Sequence, residues 1–143
     1  MIYLLDTNAF SFLLRDRGGE LFERYLRYEE EGTVALSSIV YGEILYRIRK
    51  KGSMKLEKKV QALLDLMEVL PYDRKAAECY GEIRTALSRQ GTPIGANDLL
   101  IGAHALSLNA VLITNNIREF RRIEGLKLED WTQEGSISPS THP

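Results

Sequence analysis

The 143-residue chain is long enough for one domain with a real hydrophobic core, and 44% hydrophobic and 27% charged residues exclude a disordered protein. With 19 basic against 20 acidic residues the net charge is -1, which excludes a polybasic nucleic-acid binder and leaves any such binding to local clusters. A single cysteine, Cys79, excludes an internal disulfide and points to a reducing, cytoplasmic setting, and no apolar run approaches the roughly 20 residues that cross a bilayer.

Ile2–Leu5 is a short apolar run closed by Asp6, as expected of a strand buried on both faces in a parallel sheet. No basic region precedes it, so it does not read as a signal peptide. Thr7–Leu14 reads as a helix capped by Asp6 or Thr7, and a second helix spans about Gly19 to Glu31, ended by Gly32. Thr33–Leu36 is a second strand, with Ser37 or Ser38 capping a helix to about Lys51. Gly52-Ser53 breaks that helix and another runs to about Met67. Val69–Tyr72 is expected as a third strand, and Asp73 caps a helix to about Arg89. A loop over Gln90-Gly91-Thr92-Pro93 leads to a helix from about Ala96 to Leu108. Ala110–Ile113 is the most strand-like segment, and Lys127–Glu129 adds a short edge strand. Strand and helix alternate without repeats or linkers. This predicts one α/β domain over residues 1–132, a central parallel sheet with helices on both faces, and a flexible tail over 133–143, rich in Ser and Pro from Gly135.

Parallel sheets collect ligands at the carboxyl ends of their strands. Asp6 follows the first strand directly. Glu43 lies in the first two turns of the helix after the second, and Asp98 in the first turn of the helix before the Ala110–Ile113 strand. Thr114-Asn115-Asn116 follows that strand. Singly, Asp6 reads as a helix cap and Asp98 as a first-turn acid favoured by the helix dipole. Glu43 is harder to explain that way. Its neighbours Ile39, Val40, Tyr41, Ile44, Leu45 and Ile48 predict a mostly buried helix, where a carboxylate is costly unless paired or metal-bound. Converging carboxylates repel, so a shared site needs a cation. With oxygen ligands alone the expected ion is Mg²⁺ or Mn²⁺. His104 and His142 are lone histidines, which argues against zinc, and Cys79 reads as core filler.

Five segments in this order carry a resemblance: Leu5-Asp6-Thr7-Asn8; Ser38-Ile39-Val40-Tyr41-Gly42-Glu43-Ile44; Gly91-Thr92-Pro93-Ile94-Gly95 leading to Asp98; Leu112-Ile113-Thr114-Asn115-Asn116 with Glu119-Phe120; and Leu128-Glu129-Asp130-Trp131. Together, from residue 1 to about 132, they resemble the PIN-domain family and, more narrowly, VapC-type toxin ribonucleases of type II toxin–antitoxin systems. The resemblance implies Asp6, Glu43 and Asp98 around Mg²⁺ or Mn²⁺. The family often has a fourth acid where this chain has Asn116, an amide that coordinates through oxygen without charge. Glu119, three residues on, shares a helical face with it and is the candidate to supply the missing charge, directly or through water. Thr7 and Thr114 are expected to orient Asp6 by hydrogen bonds, and Asn8 either does the same or completes the cap.

The implied activity is a metal-dependent endoribonuclease that hydrolyses RNA, with tRNA favoured, leaving 5′-phosphate and 3′-hydroxyl ends. The implied partner is a small antitoxin whose flexible segment lies across the site. Arg47, Arg49, Lys50, Lys51 and Lys55, with Lys58 and Lys59, are interrupted by only one acid, Glu57, and are candidates for RNA binding; a solvated helix face is the alternative. Arg118, Arg121 and Arg122 form a smaller group. Tyr41, Leu45 and Tyr46 either pack within the domain or form a homodimer, which the resemblance favours, with a higher assembly formed with the antitoxin. Two other readings remain. One is a non-catalytic RNA-binding or interaction module of the same fold. The other is a haloacid-dehalogenase-like phosphatase, whose second Asp is replaced here by Asn8.

Overall fold

The computed structural model describes residues 1–16 and 18–133. Among them run β1 (Ile2–Leu5), α1 (Thr7–Arg15), α2 (Glu20–Glu31), β2 (Thr33–Ser37), α3 (Ser38–Lys51) and α4 (Met54–Leu64). Then follow β3 (Glu68–Leu70), α5 (Arg74–Gln90), α6 (Ala96–Ser107), β4 (Val111–Ile113), α7 (Ile117–Phe120) and β5 (Lys127–Glu129). The strands form one sheet in the order β3-β2-β1-β4-β5, every pair parallel. The expected α/β architecture is what the chain adopts.

The most apolar strands take the centre. Tyr3, Leu4 and Leu5 of β1 and Val111, Leu112 and Ile113 of β4 are all buried, as strands covered on both faces must be. The more polar β3 and β5 sit at the edges. Capping follows short polar side chains: Asp6 Oδ1 accepts from the Ala9 N–H at 2.8 Å, Ser37 Oγ from Ile39, Ser53 Oγ from Leu56 and Asp73 Oδ1 from Ala76. Gly32 ends α2 for a steric reason. Its φ of -171° is ordinary extended backbone, but a Cβ there would lie 2.2 Å from the Met1 carbonyl oxygen.

Two elements and one burial pattern depart from the sequence reading by more than a residue. Helix α4 stops at Leu64 instead of Met67, because Leu66 and Met67 donate to Leu63 and Leu64 in a tightened last turn that leads into the sheet. Strand β3 occupies Glu68–Leu70 instead of Val69–Tyr72. Pro71 has no N–H for a ladder, and the Tyr72 N–H goes to Ser38 Oγ at 3.0 Å. Helix α3 is not apolar all round: Val40, Ile44 and Ile48 form one buried stripe, whereas Tyr46 is 64% exposed. Cys79 packs against the core, partly buried. The expected flexible tail, apart from Gln133, lies outside the described residues.

Candidate active site

The site is built where β1 and β4 end side by side. The Asp6 N–H donates to the Ile113 carbonyl at 3.1 Å, and the Thr114 N–H to the Glu129 carbonyl at 3.0 Å, so the carboxyl ends of three neighbouring strands are tied together. Asp6 is 5% exposed. Burial raises its pKa, while the Thr114 hydroxyl and the Ala9 N–H oppose the rise by donating to the carboxylate. Asp6 is therefore both the cap of α1 and a buried carboxylate at the strand ends. The Thr114 hydroxyl donates to it, Thr7 is buried, and Asn8 is exposed, offering Asp6 its backbone N–H.

Asp98 enters from the first turn of α6. Burial, then Glu119, then Asp6 push its carboxyl up to about 6. Asn116 caps the short helix α7, and its side-chain amide donates to Asp98 Oδ2 at 3.1 Å and to Glu119 Oε2 at 2.9 Å. The same amide, with the Gly95 N–H at 3.4 Å from Glu119 Oε1, holds Glu119 below the usual carboxylate range. One carboxyl is thus pushed up and its neighbour held down, the pattern that separates a proton-holding acid from an anion. Asp6, Asp98, Asn116 and Glu119 come together. The amide faces the acids with its N–H groups.

Glu43 stands apart from that group. Its side chain is 29% exposed, so the expectation of an enclosed carboxylate is corrected: it lies beside the buried stripe of α3. Its oxygens take the Asn97 side-chain amide and an ion pair with Arg47 at 3.5 Å. Asn97, adjacent to Asp98, was not legible as a site residue, because a polar residue in an exposed first turn looks like a solvated face. Asp130 was also missed; its charge raises the Asp6 pKa.

Among the described residues, no three His, Cys, Asp and Glu side chains are arranged to hold one metal ion. The donor chemistry nevertheless fits a hard divalent cation. All donors are oxygens, and the acids repel one another, as Asp98 registers. Mg²⁺ is commonly held by one or two carboxylates with water and substrate oxygens filling the remainder. His104 is not a ligand: it is 1% exposed and bonded to Ser37.

Of the basic candidates, Arg47 is engaged by Glu43, while Arg49, Lys50, Lys51 and Lys55 are exposed. Arg15, Arg47 and Lys51 line a groove between α1, α3 and α4 whose other walls include Phe10, Leu14 and Ile48.

The PIN domain family model matches residues 3–126, nearly the whole of the described chain. The chain is 39% identical over 132 residues to Ribonuclease VapC2 of Rickettsia felis, covering 92% of this chain and 98% of that one. The chain belongs to the PIN-domain family, in its VapC branch. It is 38% identical over 132 residues to the tRNA(fMet)-specific endonuclease VapC of Salmonella typhimurium, covering 90% of this chain and 97% of that protein. The crystal structure of VapBC2 from Rickettsia felis bound to a promoter DNA fragment matches with a TM-score of 0.81 and 40% identity. It covers 92% of this chain and 99% of that chain. No helix among the described residues is long and apolar enough to cross a membrane.

Proposed function

We propose that this VapC-family chain is a Mg²⁺- or Mn²⁺-dependent endoribonuclease toxin that hydrolyses tRNA in the cytoplasm and is neutralised by a small antitoxin. The observation that carries the reading is the convergence of Asp6, Asp98 and Glu119 at the strand ends, with Asp98 pushed up to about 6 by burial and by those two acids. Carboxylates are held at such proximity where a cation is part of the working state. The relatives named as ribonuclease and tRNA(fMet)-specific endonuclease support the substrate class.

Asp6 and Asp98 would hold the cation, with Glu43 and Glu119 completing the set through water. When bound, a divalent cation supplies Lewis acidity toward the phosphate and toward an attacking water. The chain's own residues do the remainder. Thr114 and the Ala9 N–H fix the Asp6 carboxylate. Asn116 keeps Asp98 and Glu119 side by side by donating its side-chain amide to both. The site's side chains are carboxylates and amides, with no Ser–His or Cys–His nucleophile pair among its described residues, which supports direct hydrolysis with 5′-phosphate and 3′-hydroxyl products.

Exposed cations on α3 and α4 would contact RNA phosphates. The antitoxin segment would place apolar side chains in the groove between α1, α3 and α4, and an Arg or Lys against the carboxylates, where it excludes the metal. Tyr46, exposed on α3, supports a homodimer through that face, with the antitoxin joining a higher assembly. Purified chain should cleave tRNA with Mn²⁺ and stop on chelation. Its stoichiometric complex with the antitoxin should be silent, and full activity in that complex would overturn the occlusion model.

A further inference from the structure

His104 and Ser37 meet in the interior of the molecule, far apart in sequence. The His104 ring nitrogen Nδ1 lies 2.8 Å from Ser37 Oγ, with exposures of 1% and 0%. The ring also bonds the Pro71 backbone, whose carbonyl only accepts; with Nδ1 at Ser37 Oγ, this assigns the ring proton to Nε2 and makes Nδ1 the acceptor of the Ser37 hydroxyl. Burial favours this neutral ring. Tyr72 closes the ring's surroundings edge-on at 5.1 Å, and its own N–H is held by Ser38.

These partners have positions that matter. Ser37 is the N-cap of α3, the helix that carries Glu43. His104 lies on α6, the helix that carries Asp98. A second bond joins the same two helices: Asn97 on α6 donates to Glu43 on α3. Asn97 and His104 are seven residues apart, two helical turns and about 10 Å along one face of α6. The late turn of α6 grips the start of α3 and the early turn of α6 grips its second turn, so the helices run antiparallel with two attachment points. One such bond leaves a pivot; two leave neither rotation nor sliding free. The outer bond joins exposed groups, whereas the inner one is fully buried.

We infer that His104 is a positioning residue, which through its hydrogen bond from the Ser37 hydroxyl sets the register of α3 against α6 and so the placement of Glu43 relative to Asp98. This rests on the carboxylate-site reading of the preceding subsection. It differs from simple core filling in a way that substitution can separate. Asparagine at 104 places an acceptor where Nδ1 stood but leaves empty volume. Glutamine fills more of the volume but places its amide near the Nε2 position, toward Pro71, and forfeits the Ser37 bond. Packing alone favours Gln; positioning favours Asn.

The test compares His104→Gln and His104→Asn in the full chain by three readouts: melting temperature, Mn²⁺ affinity by calorimetry, and the Asn97 side-chain amide signal by NMR without metal. Positioning predicts that His104→Gln weakens Mn²⁺ binding about tenfold, as loss of a supporting hydrogen bond behind a metal site does. It also predicts that His104→Asn restores affinity even where it melts lower than His104→Gln. Metal-free, the Asn97 signal should move toward that of a free amide in His104→Gln and stay in place in His104→Asn. Equal Mn²⁺ affinity in His104→Gln and wild type, or affinities that rank as the melting temperatures do, would overturn it. A wild-type chain that binds no Mn²⁺ would instead sink the metal reading. The amide signal would then decide alone, its shift in His104→Gln supporting the clasp and its constancy refuting it.

Discussion

The side-chain amide of Asn116 reaches Asp98 Oδ2 at 3.1 Å and Glu119 Oε2 at 2.9 Å, standing between two carboxyls that would otherwise repel. Asn116→Asp removes that donor and adds a charge. Without metal the variant should lose about 1.5–3 kcal/mol of stability, the order of deleting a hydrogen bond to a charged group. With Mn²⁺ its affinity should rise, because the cation now neutralises one more anion. Calorimetry with melting curves in chelator checks both, and unchanged values in both would place Asn116 outside the site.

The raised Asp98 carboxyl makes the metal-free protein pH-sensitive. Its folded pKa of about 6 lies above the ordinary 3.8, so its contribution to stability is present in full below about pH 4 and is lost as pH rises through about 6. Two pKa units correspond to roughly 2–3 kcal/mol, reduced by partial solvent access to about 2. Glu129, pushed up to about 7 by burial, adds a second fall between about pH 4.5 and 7. Chemical denaturation in chelator from pH 4 to 8 should show declining stability, shallower in Asp98→Asn. A flat profile in wild type would contradict the acid cluster.

Asp6 caps α1 as well as lining the site, and two substitutions separate the roles. Asn is as good a cap as Asp, whereas Ala costs typically about 1 kcal/mol. Asp6→Asn should therefore melt within a few degrees of wild type in chelator yet lack nuclease activity. Asp6→Ala should lack activity too, its lost cap partly offset by relief of repulsion toward Asp98. Near-normal cleavage by Asp6→Asn would remove Asp6 from the catalytic set.

Much of this was legible in the sequence, and the failures have physical causes. Asp6 and Asp98 could be read because a carboxylate directly after a buried strand or in a helix's first turn has few positions available to it. The edge strand Lys127–Glu129 was readable from its own pattern. Glu43 was misjudged because apolar neighbours on both sides suggested enclosure, while the real stripe, Val40, Ile44 and Ile48, leaves residue 43 at its margin. Pairings across the chain left no local trace: Asn97 with Glu43 is 54 residues apart and His104 with Ser37 is 67. Helix α7 is one turn long and too short to show a period.

The basic cluster gives a prediction about binding alone. Neutralising Arg49, Lys50, Lys51 and Lys55 should weaken RNA binding and flatten its dependence on salt, by roughly one unit of slope for each phosphate no longer neutralised. Mn²⁺ affinity should not change, since none of the four meets a site carboxylate. Arg47 is left intact because it pairs with Glu43. An unchanged salt slope in the quadruple variant would make these residues an ordinary solvated face.

Whether Asp6 and Asp98 make a divalent-metal site for RNA hydrolysis is decided by cleavage of tRNA with purified wild type and with Asp98→Asn. The two proteins are matched for folding by circular dichroism and compared across a Mg²⁺ and Mn²⁺ titration with product ends mapped. Wild-type cleavage should rise with metal, leave 5′-phosphates and stop in chelator, and Asp98→Asn should be inactive at every metal concentration. Cleavage that persists in chelator, or that Asp98→Asn performs at near the wild-type rate, would refute the metal site.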